Sequence, residues 1–130
     1  NIKLNVVKSA VRGKRVVMVD DSIVRGTTCA NIIRALKEGG AKEVHLMISS
    51  PPFMWPCYFG TDIPSRDVLM AVQYSVEEMQ QKIGADTLGF LSMEAIKEIA
   101  QNLNCDYCDA CFSGKYAVPV PNEADKMEFE

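Results

Sequence analysis

Two adjacent carboxylates, Asp20 and Asp21, stand at the end of an apolar run and in front of a short polar loop. The run from Val16 to Val19 predicts a buried strand, and the residues after Thr28 follow a helical pattern. Ligands of open α/β sheets bind beyond the carboxyl ends of the strands, where these side chains are expected. Successive strand residues point to opposite faces, so one carboxylate would face a ribose hydroxyl or hydrated Mg²⁺ and the other the opposite side.

The loop from Ser22 to Thr28 has the composition of a phosphate-binding turn. It offers backbone N–H groups, hydroxyls and Gly26, which permits a positive φ or a close approach. Such amides at a helix N-terminus suit a phosphate, and Arg25 either adds a charge-assisted contact or faces solvent. The alternative is that the acidic and hydroxyl residues only cap the helix, and both interpretations stay open here. No lysine follows Gly26, so the loop does not match that of nucleotide triphosphatases.

The elements that must position these residues form a βαβ unit. Arg15–Asp20 contains a continuous apolar run rich in β-branched valine, typical of a strand covered on both faces of a parallel sheet, and Glu43–Ser49 predicts a second strand. The helix between them is expected to begin near Thr28 and to end at Gly39 and Gly40. Strand, helix and strand with short links imply a right-handed parallel crossover.

The rest of the chain alternates between short elements and loops. A strand or extended arm is predicted over Ile2–Val7, and the proline-punctuated Ser50–Pro56 is expected to be an ordered loop. Further predicted elements are a short helix over Asp67–Tyr74, a helix capped by Ser75 and Glu78 and closed by Gly84, a short strand over Asp86–Leu91, and a helix capped by Ser92 with a buried stripe of Met93, Ile96, Ile99, Ala100 and Leu103.

The composition is that of one soluble globular domain. The chain has 130 residues, of which 48% are hydrophobic and 24% charged, with a formal net charge of -3. The negative charge argues against a nucleic-acid partner, and no apolar run resembles a signal peptide or approaches the ~20 residues of a membrane span. We therefore expect a cytoplasmic protein with no nucleic-acid or membrane partner. The opening NIKLNVVKSA, without an initiator Met, is expected to be cut from a longer protein.

Three of the five cysteines cluster at Cys105, Cys108 and Cys111. In a cytosolic chain this clustering favours a metal or cluster site over disulfides. By spacing alone the stretch is part of either a zinc site or an iron–sulfur site, and free thiols are the third possibility. The only histidine, His45, lies in a predicted strand and is expected to be structural.

The run VVMVDDSIVRGTT at residues 16–28 resembles the phosphoribosyl pyrophosphate (PRPP) signature of type I phosphoribosyltransferases. Followed by ISSPP, PCYFG and DI, it is similar to the glutamine PRPP amidotransferase family, and the resemblance runs from Lys3 to Tyr116. It implies an α/β fold, a partial parallel-sheet type I phosphoribosyltransferase with a helical and irregular C-terminal segment. Residues 1–104 would be the C-terminal portion of that domain, and residues 105–130 a cysteine-containing C-terminal tail.

The resemblance also implies an enzyme, a glycosyltransferase that makes 5-phosphoribosylamine from PRPP and glutamine-derived ammonia in the first step of de novo purine synthesis. The carboxylates would bind the ribose hydroxyls and Mg²⁺, the loop would wrap the 5′-phosphate, and Lys3 would lie near the pyrophosphate. Neither carboxylate need act as a general base, since positioning and charge neutralisation supply the rate. The implied PRPP-binding residues are Asp20, Asp21, Ser22, Ile23, Val24, Arg25, Gly26, Thr27 and Thr28, with Asp20 and Asp21 also holding Mg²⁺.

The same resemblance implies a structural 4Fe–4S cluster held by Cys57, Cys108 and Cys111, with a fourth ligand from earlier in a full-length chain. Cys105 would be an extra cysteine that could substitute as a ligand, and Cys29 is expected to be a small packed residue. The implied partners are a glutaminase domain that precedes this segment, purine nucleotide inhibitors at the PRPP site, and further copies in a homotetramer.

Without a glutaminase domain, the 130-residue chain is predicted to form no phosphoribosylamine on its own. Two other functions stay open at this point. One is a PRPP-binding regulatory protein, which the negative charge and the cysteine tail disfavour. The other is a zinc-binding interaction module on an α/β scaffold, which metal analysis would distinguish.

Overall fold

Three parallel strands lie at the centre of the fold in the order β1 (Arg15–Asp20), β2 (Glu43–Ile48) and β3 (Thr87–Phe90). The computed structural model describes residues 6–61, 63, 65–102 and 104–120. Because parallel strands end at the same edge of a sheet, Asp20 at the end of β1 pairs with Ile48 at the end of β2. This edge carries the candidate site.

Helices connect and flank the strands. Their bounds in the described residues are α1 Lys8–Val11, α2 Thr27–Glu38, α3 Met70–Gln73, α4 Val76–Ile83, α5 Met93–Ala100 and α6 Ala110–Ser113. The order β1, α2, β2 confirms the predicted βαβ unit. The sequence did not predict α1 or α6, and α3 is shorter than the helix predicted over Asp67–Tyr74. Most of the predicted arm Ile2–Val7 lies outside the described residues.

One face of the sheet forms the main core. Val44, Leu46 and Ile48 alternate along β2 and are buried in one cluster with Ile33 of α2 and Met79 of α4. Side chains two apart on a strand share a face, and so do those four apart on a helix, so this alternation buries a continuous apolar layer. Both helices pack on this face of the sheet and position the loop before α2.

Among the described residues the opposite face of the sheet is open, and here the prediction of a strand covered on both faces is wrong. Val17 and Val19 of β1 are 63% and 69% exposed, and Met47 beside Val19 is also exposed. Within the described part of the chain, α2 and α4 both pack against the core face. An apolar run shows that both faces of a strand suit burial, but it cannot show which segments cover them.

Polar groups occupy the other end of this open face. His45 lies between Thr87 and Glu43, with Nδ1 2.9 Å from Thr87 Oγ1 and Nε2 3.1 Å from Glu43 Oε2. Arg15 donates to the same Glu43 carboxylate. The hydrogen bonds from His45 and then Arg15 lower the pKa of Glu43. These contacts across the strands agree with the predicted structural role of His45.

Two helices begin with the predicted side-chain caps. Ser75 accepts from the backbone N–H of Glu78, which returns a hydrogen bond to the Ser75 N–H, so the predicted capping box at α4 is confirmed. Ser92 accepts from the N–H of Ala95 at the start of α5. The predicted buried stripe of α5 is wrong, since Ile99 is 70% exposed and α5 buries no described residue; Leu103 lies outside the described residues.

Asp86 ties the start of β3 to β2 and α2. Its Oδ2 accepts from the Val44 N–H at 2.6 Å and lies 3.2 Å from Lys37 Nζ. The hydrogen bond from Val44, supported by Lys37, lowers the pKa of Asp86 against the opposing effect of burial. Within the described residues, no helix is long and apolar enough to cross a membrane.

Asp86→Asn is expected to lower the free energy of unfolding at pH 7 by about 0.5–1 kcal/mol, a modest value because the carboxylate is partly solvated. A lowered folded pKa gives stability that is complete above the unfolded pKa of about 4 and is lost as pH falls through the folded pKa. Urea unfolding at pH 7 and pH 3 should therefore show a smaller pH dependence for Asp86→Asn than for wild type. Asp106→Asn, at an exposed position, is the control; equal pH dependence of all three proteins would contradict this role.

Candidate ligand-binding site at the end of the first strand

Asp20 and Asp21, at the end of β1, differ in burial and in hydrogen bonding. Asp20 is half-buried, and its Oδ1 accepts from the backbone N–H of Asp21 at 3.0 Å. Asp21 is exposed, and its Oδ1 accepts from Ser22 Oγ at 3.0 Å. The chain is fixed here because Ser49 donates its N–H to the Asp20 carbonyl at 2.9 Å. One carboxylate is therefore set by its surroundings, and the other projects into solvent.

The loop between β1 and α2 is anchored at its centre. Ile23 is buried in the main core, and the Val24 carbonyl accepts from the Met70 N–H at 2.8 Å. An apolar side chain inserted on one side leaves the backbone and hydroxyl groups of the loop on the other. Such anchoring gives the loop a fixed shape before any ligand arrives, which reduces the ordering cost of binding.

Gly26 supplies the conformation that starts α2. It is the N-cap residue with φ 74° and ψ -4°, in the left-handed region that favours glycine. A Cβ at this position would lie 2.5 Å from Met70 Sδ. The sequence predicted a positive φ or a close approach, and the structure shows both.

No side chain caps α2 within the described part of the chain, unlike Ser75 at α4 and Ser92 at α5. The N-terminal amides of a helix need an acceptor, from a side chain, water or a ligand. Of the interpretations left open by the sequence, simple capping by the Asp, Ser or Thr side chains is therefore wrong. Amides at the start of a twelve-residue helix remain available to an anion.

A cavity of about 500 Å³ opens at this point, lined by residues 20–29 without interruption. All nine residues predicted to bind PRPP lie along it, from Asp20 to Thr28. The tenth is Cys29, which was not predicted from the sequence to lie in the site. Its spacing of four from Ile33 on α2 was the signal for an inward position, but the hydrogen bond it makes was not readable.

The Cys29 thiol donates to Asp20 Oδ2 at 3.3 Å. Burial, then this hydrogen bond and the charge of Asp20, raise the pKa of Cys29 to about 12. The predicted packed position of Cys29 is confirmed, since it is 3% exposed.

A second cavity of about 570 Å³ lies beside the loop and shares Arg25, Gly26 and Thr27 with the first. Its far wall includes Tyr74 and Lys82, whose ammonium lies 4.1 Å from the centre of the tyrosine ring. These residues could not be assigned to the site from the sequence because they come from α4 and the segment before it. Only the packing of α4 against α2 brings them to the loop.

Cys57 lies in a loop that stabilises a thiolate. Gly60 and Thr61 direct backbone N–H groups to its sulfur at 3.5 and 3.3 Å. Burial opposes ionisation, but the backbone N–H groups, that of Gly60 foremost, outweigh it and lower the pKa of Cys57 to about 7. A thiolate is the form in which cysteine binds metals.

Cys111 is brought to the same region by α6. Cys57 and Cys111 both pack against a small core cluster of Phe53, Ile63 and Leu69. The Cys111 carbonyl accepts the N–H groups of residues 54 and 55, each at 3.0 Å, which fixes the start of α6 on the proline-rich loop. Burial, and then the charge of Cys57, raise the pKa of the Cys111 thiol to about 11.

Cys108 and Cys105 are exposed. Among the described residues no three His, Cys, Asp or Glu side chains converge as a metal-binding group. The structure therefore brings two of the three predicted cluster cysteines to one place. The donor chemistry suits an iron–sulfur cluster, but the present arrangement of the described residues does not complete a site.

Comparison with known proteins gives close relatives, although no family model matches. An amidophosphoribosyltransferase of Bacillus subtilis is 53% identical over 92% of this chain and 26% of its own length. That of Archaeoglobus fulgidus is 50% identical over 94% of this chain and 27% of its own. A chloroplastic one from Glycine max is 51% identical over 98% of this chain and 22% of its own. The chain thus spans about a quarter of these relatives.

Solved structures give the same result and support the α/β fold. The glutamine PRPP amidotransferase from B. subtilis, complexed with ADP and GMP, has a TM-score of 0.77 and 52% identity over 87% of this chain and 26% of its own. A structure described as the allosteric regulatory enzyme of purine biosynthesis has a TM-score of 0.76 and 52% identity over 85% of this chain and 25% of its own. The chain is thus homologous to a segment that makes up about a quarter of the length of these amidophosphoribosyltransferases.

Proposed function

We propose that this chain is the PRPP-binding part of an enzyme that makes 5-phosphoribosylamine from PRPP and glutamine-derived ammonia, the first step of de novo purine synthesis. The observation that carries the proposal is the cavity lined by residues 20–29 at an uncapped helix N-terminus. Identity near 50% to amidophosphoribosyltransferases supports it. Because the chain spans a quarter of those proteins, we assign it substrate binding and not the whole reaction.

The 5′-phosphate would bind at the start of α2. Its oxygens would accept from the backbone N–H groups that follow Gly26 and from the hydroxyls of Thr27 and Thr28, which are exposed there. The helix dipole adds about 0.3–1 kcal/mol for a negative charge. Arg25 lies at the border of both cavities and would neutralise part of the remaining charge.

The ribose would lie against the carboxylates. Asp20, held at the strand end, would accept hydrogen bonds from ribose hydroxyls, and the exposed Asp21 would reach hydrated Mg²⁺; the roles can be exchanged if the sugar enters from the other side. Carboxylate oxygens are ligands that suit Mg²⁺, which keeps several waters. When bound, Mg²⁺ would neutralise charge on the departing pyrophosphate. The chain itself would orient C1 for attack by ammonia.

We propose the other partners from the similarity to amidophosphoribosyltransferases. The B. subtilis structure contains ADP and GMP, and we propose that purine nucleotides inhibit by occupying the loop of residues 20–28 here as well. A glutaminase domain would supply ammonia, and the longer protein would be a cytoplasmic homotetramer. For the chain alone we expect no phosphoribosylamine formation.

Calorimetric titration of the 130-residue chain with PRPP in the presence of Mg²⁺ tests the proposal. We expect saturable binding of one PRPP, weaker binding of ribose 5-phosphate, and a large loss of PRPP affinity when EDTA removes Mg²⁺. The absence of PRPP binding by a folded chain would contradict the proposed function. Binding of PRPP by the chain, with DNA binding in addition, would favour the regulatory alternative.

We also propose that Cys57, Cys108 and Cys111 hold a structural 4Fe–4S cluster. The thiolate-stabilising loop around Cys57 and its shared packing with Cys111 support the proposal. Cys108 is three residues before Cys111 and would have to turn inward from its exposed position. The cluster has no assigned part in the reaction.

Anaerobic reconstitution of the longer protein, which would supply the fourth ligand, is expected to give a protein that holds both iron and sulfide, and Cys57→Ser or Cys111→Ser should lose most of the iron. Cys105→Ser is the matched control and should keep the iron, since Cys105 is not one of the three proposed ligands. The measurement is iron and acid-labile sulfide per chain. Stoichiometric zinc without sulfide would instead support a zinc module, and equal iron in all variants would contradict the assignment.

A further inference from the structure

The Asp20 carboxylate is oriented by a donor on each oxygen. Oδ1 accepts the N–H of Asp21 at 3.0 Å, and Oδ2 accepts the thiol of Cys29 at 3.3 Å. The first donor belongs to the adjacent residue. The second crosses from strand β1 to the first turn of helix α2, so it fixes the carboxylate relative to the helix N-terminus.

Cys29 itself has a fixed position. It is 3% exposed and belongs to the main core cluster together with Ile33, which lies one turn further along α2. A free buried cysteine normally behaves as a small apolar residue, and its thiol is a weak donor. Here the sulfur sits between the apolar core and a carboxylate of the cavity, and both residues line that cavity.

The terminal torsion of an aspartate is broad, so a carboxylate held on one side only can rotate. With Oδ2 held by a group that is packed in the core, rotation would break a hydrogen bond in a partly buried setting. Each carboxylate oxygen has a second lone pair, so the donors leave acceptor capacity for a ligand in the cavity.

We propose that Cys29 is a positioning residue, whose thiol holds Asp20 in the orientation that receives the ribose hydroxyls or Mg²⁺. The inference rests on the proposed function, in which Asp20 contacts PRPP or its metal. Cys29 touches neither substrate nor metal in this proposal. It acts through Asp20 alone.

Replacement of the donor tests this role by affinity for PRPP with Mg²⁺. Cys29→Ala and Cys29→Val remove the donor with a smaller and a larger side chain, and we expect binding about threefold to tenfold weaker in both. Cys29→Ser keeps a donor and should bind PRPP within about twofold of wild type. This result would not follow from packing alone, because a buried hydroxyl is less favourable than alanine in an apolar core. Cys105→Ala is the control for loss of a thiol and should bind like wild type. Thermal unfolding identifies which variants are folded. If either the alanine or the valine variant does not fold, the other still tests the loss of the donor.

The infrared S–H stretching band gives a second readout that a packing role would not move. The Cys29 band is assigned by its loss in Cys29→Ser, and it should shift to higher frequency in Asp20→Ala because hydrogen bonding weakens the S–H bond. An unshifted band, or Cys29→Ser binding no better than the donor-free variants, would overturn the inference. If wild type binds PRPP and the donor-free variants bind equally well, only the inference fails. If folded wild type binds no PRPP, the proposed function fails with it.

Discussion

Asp20→Asn is expected to weaken the binding of PRPP with Mg²⁺ by about 10- to 100-fold, which corresponds to the loss of a charged hydrogen-bond acceptor. The substitution keeps the size of the side chain but removes its negative charge. It also replaces one of the oxygens that accept from Asp21 and Cys29 by an amide group that cannot accept. The free energy of unfolding should therefore fall by only about 1 kcal/mol, and the variant stays folded.

Calorimetric titration compares this variant with matched changes. Asp21→Asn should also bind PRPP more weakly. If Asp21 is the carboxylate that reaches the metal, Mg²⁺ should increase the PRPP affinity of this variant less than it increases that of wild type. Asp106→Asn changes the charge equally at an exposed position far along the chain and should bind like wild type. Binding by Asp20→Asn within twofold of wild type would show that the strand-end carboxylate does not contact the ligand.

The βαβ unit and the loop could be predicted because their signals are local. A β-branched run, a short polar loop and a helical apolar pattern each determine the conformation of their own residues. The predicted strand bounds at Arg15 and Asp20 are those observed. The positive φ of Gly26 follows in the same way, because a tight turn into a helix favours glycine at that position.

Features that depend on packing between distant segments could not be predicted from the sequence. The exposure of Val17 and Val19 depends on which segments cover the sheet, and the exposure of Ile99 depends on whether α5 finds a partner surface. The apolar pattern of each element reports only what its side chains would tolerate. The hydrogen bond from Cys29 to Asp20 is of the same kind, since it requires α2 to dock at one depth on β1.

The cysteines show the limit of motif spacing. The spacing of Cys105, Cys108 and Cys111 suggested a common metal site, and the resemblance to the amidotransferase family implied that Cys57 joins Cys108 and Cys111. The structure brings Cys57 and Cys111 against one core cluster and leaves Cys108 at the surface. Spacing fixes distance along the chain, whereas convergence of sulfur atoms depends on how the tail packs on the proline-rich loop.

Gly26→Ala is expected to destabilise the fold of the site, lowering the free energy of unfolding by about 2–4 kcal/mol. About 1 kcal/mol comes from placing a side chain at φ 74°. A further 1–3 kcal/mol, roughly, comes from overpacking, because the new Cβ would lie 2.5 Å from Met70 Sδ in a buried position. Either the Met70 side chain or the start of α2 must shift to relieve this contact. We expect α2 to shift in part, so PRPP affinity should fall by more than about tenfold, as expected when helix N-terminal donors are displaced.

Two other glycines allow the cost of backbone strain at Gly26 to be measured separately from the cost of the contact with Met70. Gly13 has φ 72°, and a Cβ added there would have no atom within 4 Å, so Gly13→Ala should report the backbone strain alone, about 1 kcal/mol. Gly60 also has open space and no positive φ in the left-handed region, so Gly60→Ala should be close to neutral. Urea unfolding measures the free energy of unfolding of the three variants, and the excess loss in Gly26→Ala is the cost of the contact with Met70. Equal destabilisation by Gly26→Ala and Gly13→Ala would mean that Met70 yields without cost.

The contact with Met70 can then be measured directly in a double-mutant cycle. Met70→Ala alone removes a buried side chain and should cost about 2–5 kcal/mol. In the Gly26→Ala background it also removes the overlap, so its cost should be smaller by about 1–3 kcal/mol. If the two changes add instead, Met70 does not define the depth at which the loop packs on the core. Since Met70 also donates its N–H to Val24, a coupling of this sign would show that α3 fixes the position of the loop between β1 and α2.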